Sequence, residues 1–217
     1  NTWRRFALWR DFLEDDMEMD RTEMYRQREK RKAFVVEDKT NHEEKVALFA
    51  SLRLKLTISY ASNSDLKRVS ELINRTNQFN LEGSRVTYKE VCQWHVSKEH
   101  WIVIGQTADR FGDMGTTCVA VARKSGTDME ILPFVLSCRV FGYGIETATM
   151  NYLKSVAKDQ GLRRIVGRYT PTPQNAPCKD FLSANGFTLH DDLWEFQVSD
   201  DQKIEVDWLE IVVNTHR

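Results

Sequence analysis

The sequence predicts an α/β (α+β) domain, a mixed and mostly antiparallel sheet flanked by helices, with a helical extension at its N-terminus. Leu54, Leu56, Ile58 and Tyr60 are apolar at every second position, the period of a half-buried strand. Strand patterns over 101–107 and 117–123 stand next to one another, joined by Asp109-Arg-Phe-Gly112-Asp113-Met-Gly115, which reads as a hairpin turn. An apolar run over 129–138 is followed by Gly142 and Gly144, then by a helical pattern and another strand. That order predicts one parallel crossover among the antiparallel pairs.

Residues 1–50 read as a helical linker or extension, and 51–217 as the main domain. Trp3, Phe6, Trp9, Phe12 and Leu13 recur at helical spacing. The stretch from Asp11 to Lys45 alternates acids and bases without Pro or Gly, as a solvated helix does. Asn41-His42 before Glu43 and Glu44 reads as the cap of a short second helix. After the first strand, Asn63 or Ser64 caps a helix with Leu66, Val69, Leu72 and Ile73 on one face. Thr87 with Glu90 makes a capping box for the next helix. The helix from about Ile145 to Gln160 closes on Gly161. Ile165 and Val166 sit in a strand, and Pro171, Pro173 and Pro177 mark a rigid connection. A helix of about Ala176–Ala184 ends at Asn185-Gly186, and strands near 187–198 and 204–213 finish the chain.

Composition narrows the function classes. With 217 residues the core needs no disulfide staples. A net charge of −1 gives no global reason to expect nucleic-acid binding, and leaves only a local basic patch open. No apolar run has membrane-spanning length. Cys92, Cys118, Cys138 and Cys178 are far apart, with no CxxC and no His at zinc-finger spacing. The expectation is four free thiols in a reducing cytoplasm and no metal in this domain. A chain that starts at Asn1 rather than Met is expected to be a fragment or a processed form.

The sharpest motif is Cys138-Arg139-Val140-Phe-Gly142-Tyr143-Gly144-Ile-Glu146, between a strand and a helix. A helix N-terminus presents unpaired N–H groups and partial positive charge, and glycines let an anion approach the backbone. A tight turn that uses Gly for its dihedrals is the plainer reading of the same residues. Arg139-x-x-Gly142-x-Gly144 resembles the pyrophosphate loop of GNAT acyltransferases, which hold the pantetheine of acyl-CoA along a splayed pair of strands. Asn175, followed by Phe181 and Gly186-Phe187, resembles the second half of that signature. The resemblance implies that Arg139, Val140, Gly142, Tyr143, Gly144 and Asn175 bind CoA or a carrier-borne phosphopantetheine. GNAT enzymes often carry a Tyr as general acid just after the residue equivalent to Phe181; this chain has Leu182.

A closer resemblance covers most of the chain. Asn74-Arg-Thr-Asn77-Gln78-Phe79-Asn80-Leu81, Asp109-Arg-Phe-Gly112-Asp113, Phe134 through Glu146, and Gly167-Arg168-Tyr-Thr-Pro171-Thr172-Pro-Gln-Asn175 look like the C-terminal, GNAT-like half of FkbH-family proteins. Asp20-Arg21-Thr22-Glu-Met-Tyr25-Arg26 looks like the segment joining that half to a preceding HAD-type, phosphatase-like domain. The resemblance implies a polyketide-type system in which a glyceryl group is loaded as a thioester on an acyl carrier protein. The HAD nucleophile pattern Asp-x-Asp-x-Thr or -Val is absent, so only the second half is resembled.

Cys138, next to Arg139 and near a helix N-terminus, is a candidate thioester nucleophile; a small hydrophobe packed under the loop is the alternative. His95 and His100 are candidate bases or surface residues. Asn77, Gln78 and Asn80 offer amides to a glyceryl hydroxyl or to pantetheine, or else cap the preceding helix. Arg168 and Thr172 are candidates for lining the mouth between the splayed strands, with a structural ion pair as the alternative for Arg168, while Asp109 and Asp113 fit turn chemistry. Three functions follow: acyl (glyceryl-type) transfer on a phosphopantetheine thiol, a non-catalytic carrier-docking domain, and an acetyl-CoA-dependent N-acetyltransferase.

Overall fold

The structure, a computed structural model, describes residues 42–200 and 203–214. The Trp3–Leu13 stripe, most of the charged 11–45 stretch, Asn41 and the Asp20–Arg26 motif lie outside the described residues. The first described helix is α1 (His42–Leu52), which sends Phe49 and Leu52 into the core. Arg53, at φ 52°, then turns the chain into β1 (Leu54–Tyr60), whose Leu54, Leu56 and Ile58 are buried as the alternation predicts.

Helix α2 (Leu66–Arg75) buries Leu66, Val69, Leu72 and Ile73. Its N-cap is Asp65 rather than Asn63 or Ser64, because the Asp65 carboxylate turns back to accept from the Ser62 N–H (2.8 Å) and hydroxyl (2.6 Å). Helix α3 (Tyr88–Val96) starts on the predicted capping box: Thr87 Oγ1 accepts from Glu90 N–H (3.2 Å), and Glu90 Oε2 accepts from Thr87 N–H (2.7 Å).

Strands β2 (His100–Asp109), β3 (Gly112–Ser125) and β4 (Asp128–Leu136) form an antiparallel meander. The predicted strand over 129–138 stops at Leu136, since Ser137 Oγ accepts from Arg139 N–H and folds residues 138–140 into a 3₁₀ turn. Helix α4 (Ile145–Asp159) leads through Gly161 (φ 65°) to β5 (Arg164–Gly167), which runs parallel to β4. The helix expected at 176–184 splits into a 3₁₀ turn containing Pro177 and the short α5 (Phe181–Ala184). The strand expected near 187–198 is a hairpin, β6 (Thr188–His190) and β7 (Leu193–Gln197), reversed at Asp191 with φ 51°. The last strand, β8, covers only Leu209–Asn214.

The sheet has eight strands in the order β6-β7-β5-β4-β3-β2-β1-β8. Only β4–β5 and β1–β8 are parallel. One face packs Leu56, Ala120, Phe134 and Leu136 against Ile145, Ala148 and Leu153 of α4. The other packs Ile104, Val119, Val121 and Val135 against α2 and Val91 of α3. The predicted class, a mixed and mostly antiparallel sheet with helices on both faces, is therefore what the chain forms.

Candidate functional site

Strands β4 and β5 pair only where Asp128, Met129 and Glu130 face Arg164, Ile165 and Val166. Arg164 fastens this end, with Nε 2.9 Å from Asp128 Oδ2 and NH1 2.8 Å from Glu195 Oε1. Beyond it the strands part: β5 ends at Gly167 while β4 runs on to Leu136 and delivers the chain to the glycine loop. The two glycines of that loop differ. Gly142, at φ +80°, faces open space, with nothing within 4 Å of where a Cβ would lie. Gly144, at φ +83°, is packed: a Cβ would meet Val206 Cγ1 at 2.9 Å and Trp208 Cζ2 at 3.2 Å. Trp208 Nε1 donates to the Tyr143 carbonyl (2.8 Å), and Asn151 on α4 donates to the Ile204 carbonyl (2.7 Å), which together pin the C-terminal segment behind the loop. Gly144 therefore serves close packing, and Gly142 alone is open to a ligand.

The gap between the parted strands is filled by the chain itself. Residues 79–81, from the connection between α2 and α3, lie in it as a short strand bridged to Val135. Leu81 N–H donates to Phe134 O (3.3 Å), Leu136 N–H to Phe79 O (3.1 Å), and Thr170 N–H, beyond β5, to Leu81 O (2.8 Å). The Phe79 ring stands 5.2 Å from Phe181, 5.8 Å from Phe141 and 6.2 Å from Phe134. Gly83, at φ +65°, turns the segment out again beneath Thr172.

Asn175 is the clamp. Its Nδ2 donates to the Asn80 carbonyl (2.9 Å) and the Thr170 carbonyl (3.0 Å), and its Oδ1 accepts from Thr172 N–H (2.7 Å) and the Tyr169 hydroxyl (3.2 Å). Phe79 is 6 % exposed, and Asn80 and Leu81 are fully buried. Burying Phe79 and Leu81 stabilises by about 2–3 kcal/mol each. The four hydrogen bonds from Leu81, Leu136, Thr170 and Asn175 add about 1 kcal/mol each. Ordering the backbone of the three residues costs about 1–2 kcal/mol each, which leaves a net of roughly 4 kcal/mol.

The residues named from the sequence do not converge on one point. Cys138 is exposed in the 3₁₀ turn beside the loop, which corrects the alternative of a small hydrophobe packed beneath it. His100 is at the other end of the sheet: it pairs with Arg123, which pairs with Glu130, and six residues of β4, about 20 Å, separate Glu130 from Leu136. His100 is therefore no base for Cys138. Its Nδ1 lies 2.8 Å from Ser97 Oγ, its ring stacks on Trp94, and burial, with the Arg123 charge, lowers its pKa. His95 is in the last turn of α3.

Asn77 and Gln78 are exposed at the rim, and Asn77 Oδ1 accepts from Arg85. Asn80 is interior: its Nδ2 donates to the carbonyls of Thr76 (3.3 Å) and Ser84 (3.2 Å), and its buried Oδ1 has no partner. The Asn175 amide and the Asn80 Nδ2 are thus spent on holding the segment and the turn that follows it. Thr172 Oγ1 accepts from Asn175 N–H (3.1 Å) in a local turn, and Arg168 is exposed near Glu82. Arg139 Nε donates to Ser137 Oγ (3.1 Å); Val140 and Tyr143 are buried, with the Tyr143 ring edge-on to Phe49 at 5.3 Å. Asp109 and Asp113 accept from the backbone of their own turn. Leu182, at the position the resemblance assigns to a general acid, is buried in the core.

Burial pushes the Cys118 thiol up to about 12 and Cys178 up to about 11, so both stay protonated at neutral pH. Burial also raises the Glu146 carboxyl, whose Oε2 has no hydrogen-bond partner. Among the described residues no group of three or more His, Cys, Asp or Glu is placed to hold a metal, and no helix is long and apolar enough to cross a membrane. Sequence reading missed the gap-filling segment. Its one signal was the apolar pair Phe79 and Leu81 flanking Asn80, an alternation too short to register as a strand.

This architecture, with β4 and β5 parting below a glycine loop, is the fold of the GNAT acetyltransferases. A protein described as an acetyltransferase of the GNAT family from Desulfovibrio desulfuricans superposes with a TM-score of 0.54 at 10% identity, over 66% of this chain and 99% of its own. The ribosomal-protein-S18-alanine N-acetyltransferase of Escherichia coli gives 0.51 at 12% identity, over 66% and 94%. A GNAT-family acetyltransferase from Staphylococcus aureus gives 0.52 at 10% identity, over 66% and 99%. No protein-family model and no curated protein matches the sequence.

Proposed function

We propose that this GNAT-fold domain serves acyl transfer on a phosphopantetheine arm, as the carrier-recognising half of an FkbH-like protein. Its partners in this reading are an acyl carrier protein and a preceding HAD-type half that supplies the glyceryl-type group, in the reducing cytoplasm that its free thiols suit. The observation that carries the reading is the Arg139–Gly144 loop, set at the N-terminus of the 15-residue α4 with Gly142 facing open space. Backbone N–H groups there suit the phosphate at the root of the arm. Cys138 is exposed beside the loop, and in this reading it is the thiol that would meet a thioester brought to this rim.

Titration calorimetry with the apo and the phosphopantetheine-bearing forms of a carrier protein tests this. The pantetheinylated form is expected to bind roughly tenfold or more tightly than the apo form. Gly142→Asp, which tolerates the left-handed backbone but adds a carboxylate, should remove that preference, and Gly142→Asn should keep it. Equal binding of both forms, or indifference to Gly142→Asp, would sink the reading.

A second reading, an acetyl-CoA-dependent N-acetyltransferase, draws support from the fold shared with the Escherichia coli alanine N-acetyltransferase. It requires an acid near the leaving thiol, where position 182 is a buried leucine. Release of free thiol from acetyl-CoA in the presence of amines would bring it forward.

A further inference from the structure

The strongest feature outside the loop is the occupied gap between β4 and β5. Phe134 O and Leu136 N, which point away from β3, form the polar edge that an extended amide-bearing arm would pair with in an open gap. Here both are already bonded to residues 81 and 79, and Thr170 N–H on the opposite wall is bonded to Leu81 O. Phe79 fills the apolar space between Phe134, Phe141 and Phe181. Asn175 then locks the Asn80 carbonyl from the far side.

We infer that residues 79–81 act as a built-in occupant of the pantetheine slot, and that Phe79, Leu81 and the Asn175 clamp are specificity determinants that exclude free CoA and its acyl thioesters. A ligand obliged to expel the segment would lose roughly three orders of magnitude in affinity, so a micromolar binder would become a millimolar one. Only ligands that engage the rim from outside remain. For a carrier-borne arm this rests on the loop reading above; it means that the phosphate docks while the thioester stays outside the sheet, accessible to a second catalytic unit. The exclusion of CoA does not depend on that reading.

The whole chain is used for the test, with CoA and acetyl-CoA as probes. Calorimetry should give no Kd in the micromolar range for either ligand. Hydrogen exchange followed by NMR should find the amides of Leu81, Leu136 and Thr170 as slow as the interior amides of β3, with or without CoA. A micromolar Kd for CoA overturns the inference, because the segment must then leave. So does exchange at any of the three amides roughly tenfold or more faster than in β3, because the segment is then not locked. Protected amides together with failed carrier binding would count against the loop reading alone, so the two failures are distinguishable.

Discussion

The two halves of β4 meet the same requirement in different ways. From Asp128 to Glu130 the strand edge is satisfied by β5, and Arg164 ties the end with bonds to Asp128 and Glu195. From Phe134 to Leu136 it is satisfied by a segment that arrives from between α2 and α3. Polar backbone that leaves water must find partners, so strands that part create a vacancy for hydrogen bonds. The chain's own backbone fills such a vacancy as well as a ligand does. Once it does, a fold shared with acetyltransferases no longer implies their cofactor.

The largest effect that tests this comparison is on stability. If residues 79–81 belong to the interior as fully as the paired half does, Phe79→Ala removes a core side chain and costs about 3–5 kcal/mol. Arg164→Ala, which loosens the fastened end, costs less, since its ion pairs are partly in water. Urea denaturation of both variants checks the order. A loss below about 1 kcal/mol for Phe79→Ala would make the segment a surface loop and break the comparison.

A smaller effect separates the two glycines at the top of β4. Both hold left-handed backbone, so alanine costs about 1 kcal/mol at either position from conformation alone. Only at Gly144 does the added carbon run into Val206 and Trp208. Gly144→Ala is expected to be less stable than Gly142→Ala by about 1–3 kcal/mol, the usual range for overpacking. Equal midpoints in urea would mean that the C-terminal segment does not press on the loop.

These differences also mark how much could be read in advance. The meander, the crossover, the Thr87 capping box and the glycine loop were legible because each rests on a local rule: alternation, turn chemistry, a cap, a strand–glycine–helix order. The gap-filling segment was not. Leu81, Phe134 and Thr170 come together only through tertiary packing, and no local period records that. Asn175 shows the same limit: its position in the motif suggested a ligand, and its four hydrogen bonds go to the protein instead. The remoteness of His100 from Cys138 follows from register, which spacing along the chain does not give. The hairpin within 187–198 depended on Asp191 adopting positive φ, which side chains allow but do not demand.

The smallest effect lies where the two halves of β4 meet. Glu82, the first residue beyond the segment, has its carboxyl raised above the ordinary carboxylate range, first by burial and further by Glu130 on the paired half. The Ser84 hydroxyl and Arg168 pull the other way. A carboxyl raised in the folded state holds its proton there more tightly than in the unfolded chain. Stability from this group is therefore greatest below the unfolded value of about 4.5 and declines as pH rises through the folded value. Glu82→Gln removes that decline. The variant's stability relative to the native chain should rise between pH 4 and neutrality and then level off, as read from urea midpoints across that range. An advantage that instead shrinks with rising pH would mean that Arg168 outweighs burial. The turn at Gly83 would then be held by an ion pair, and the boundary between the two halves would be electrostatic instead of steric.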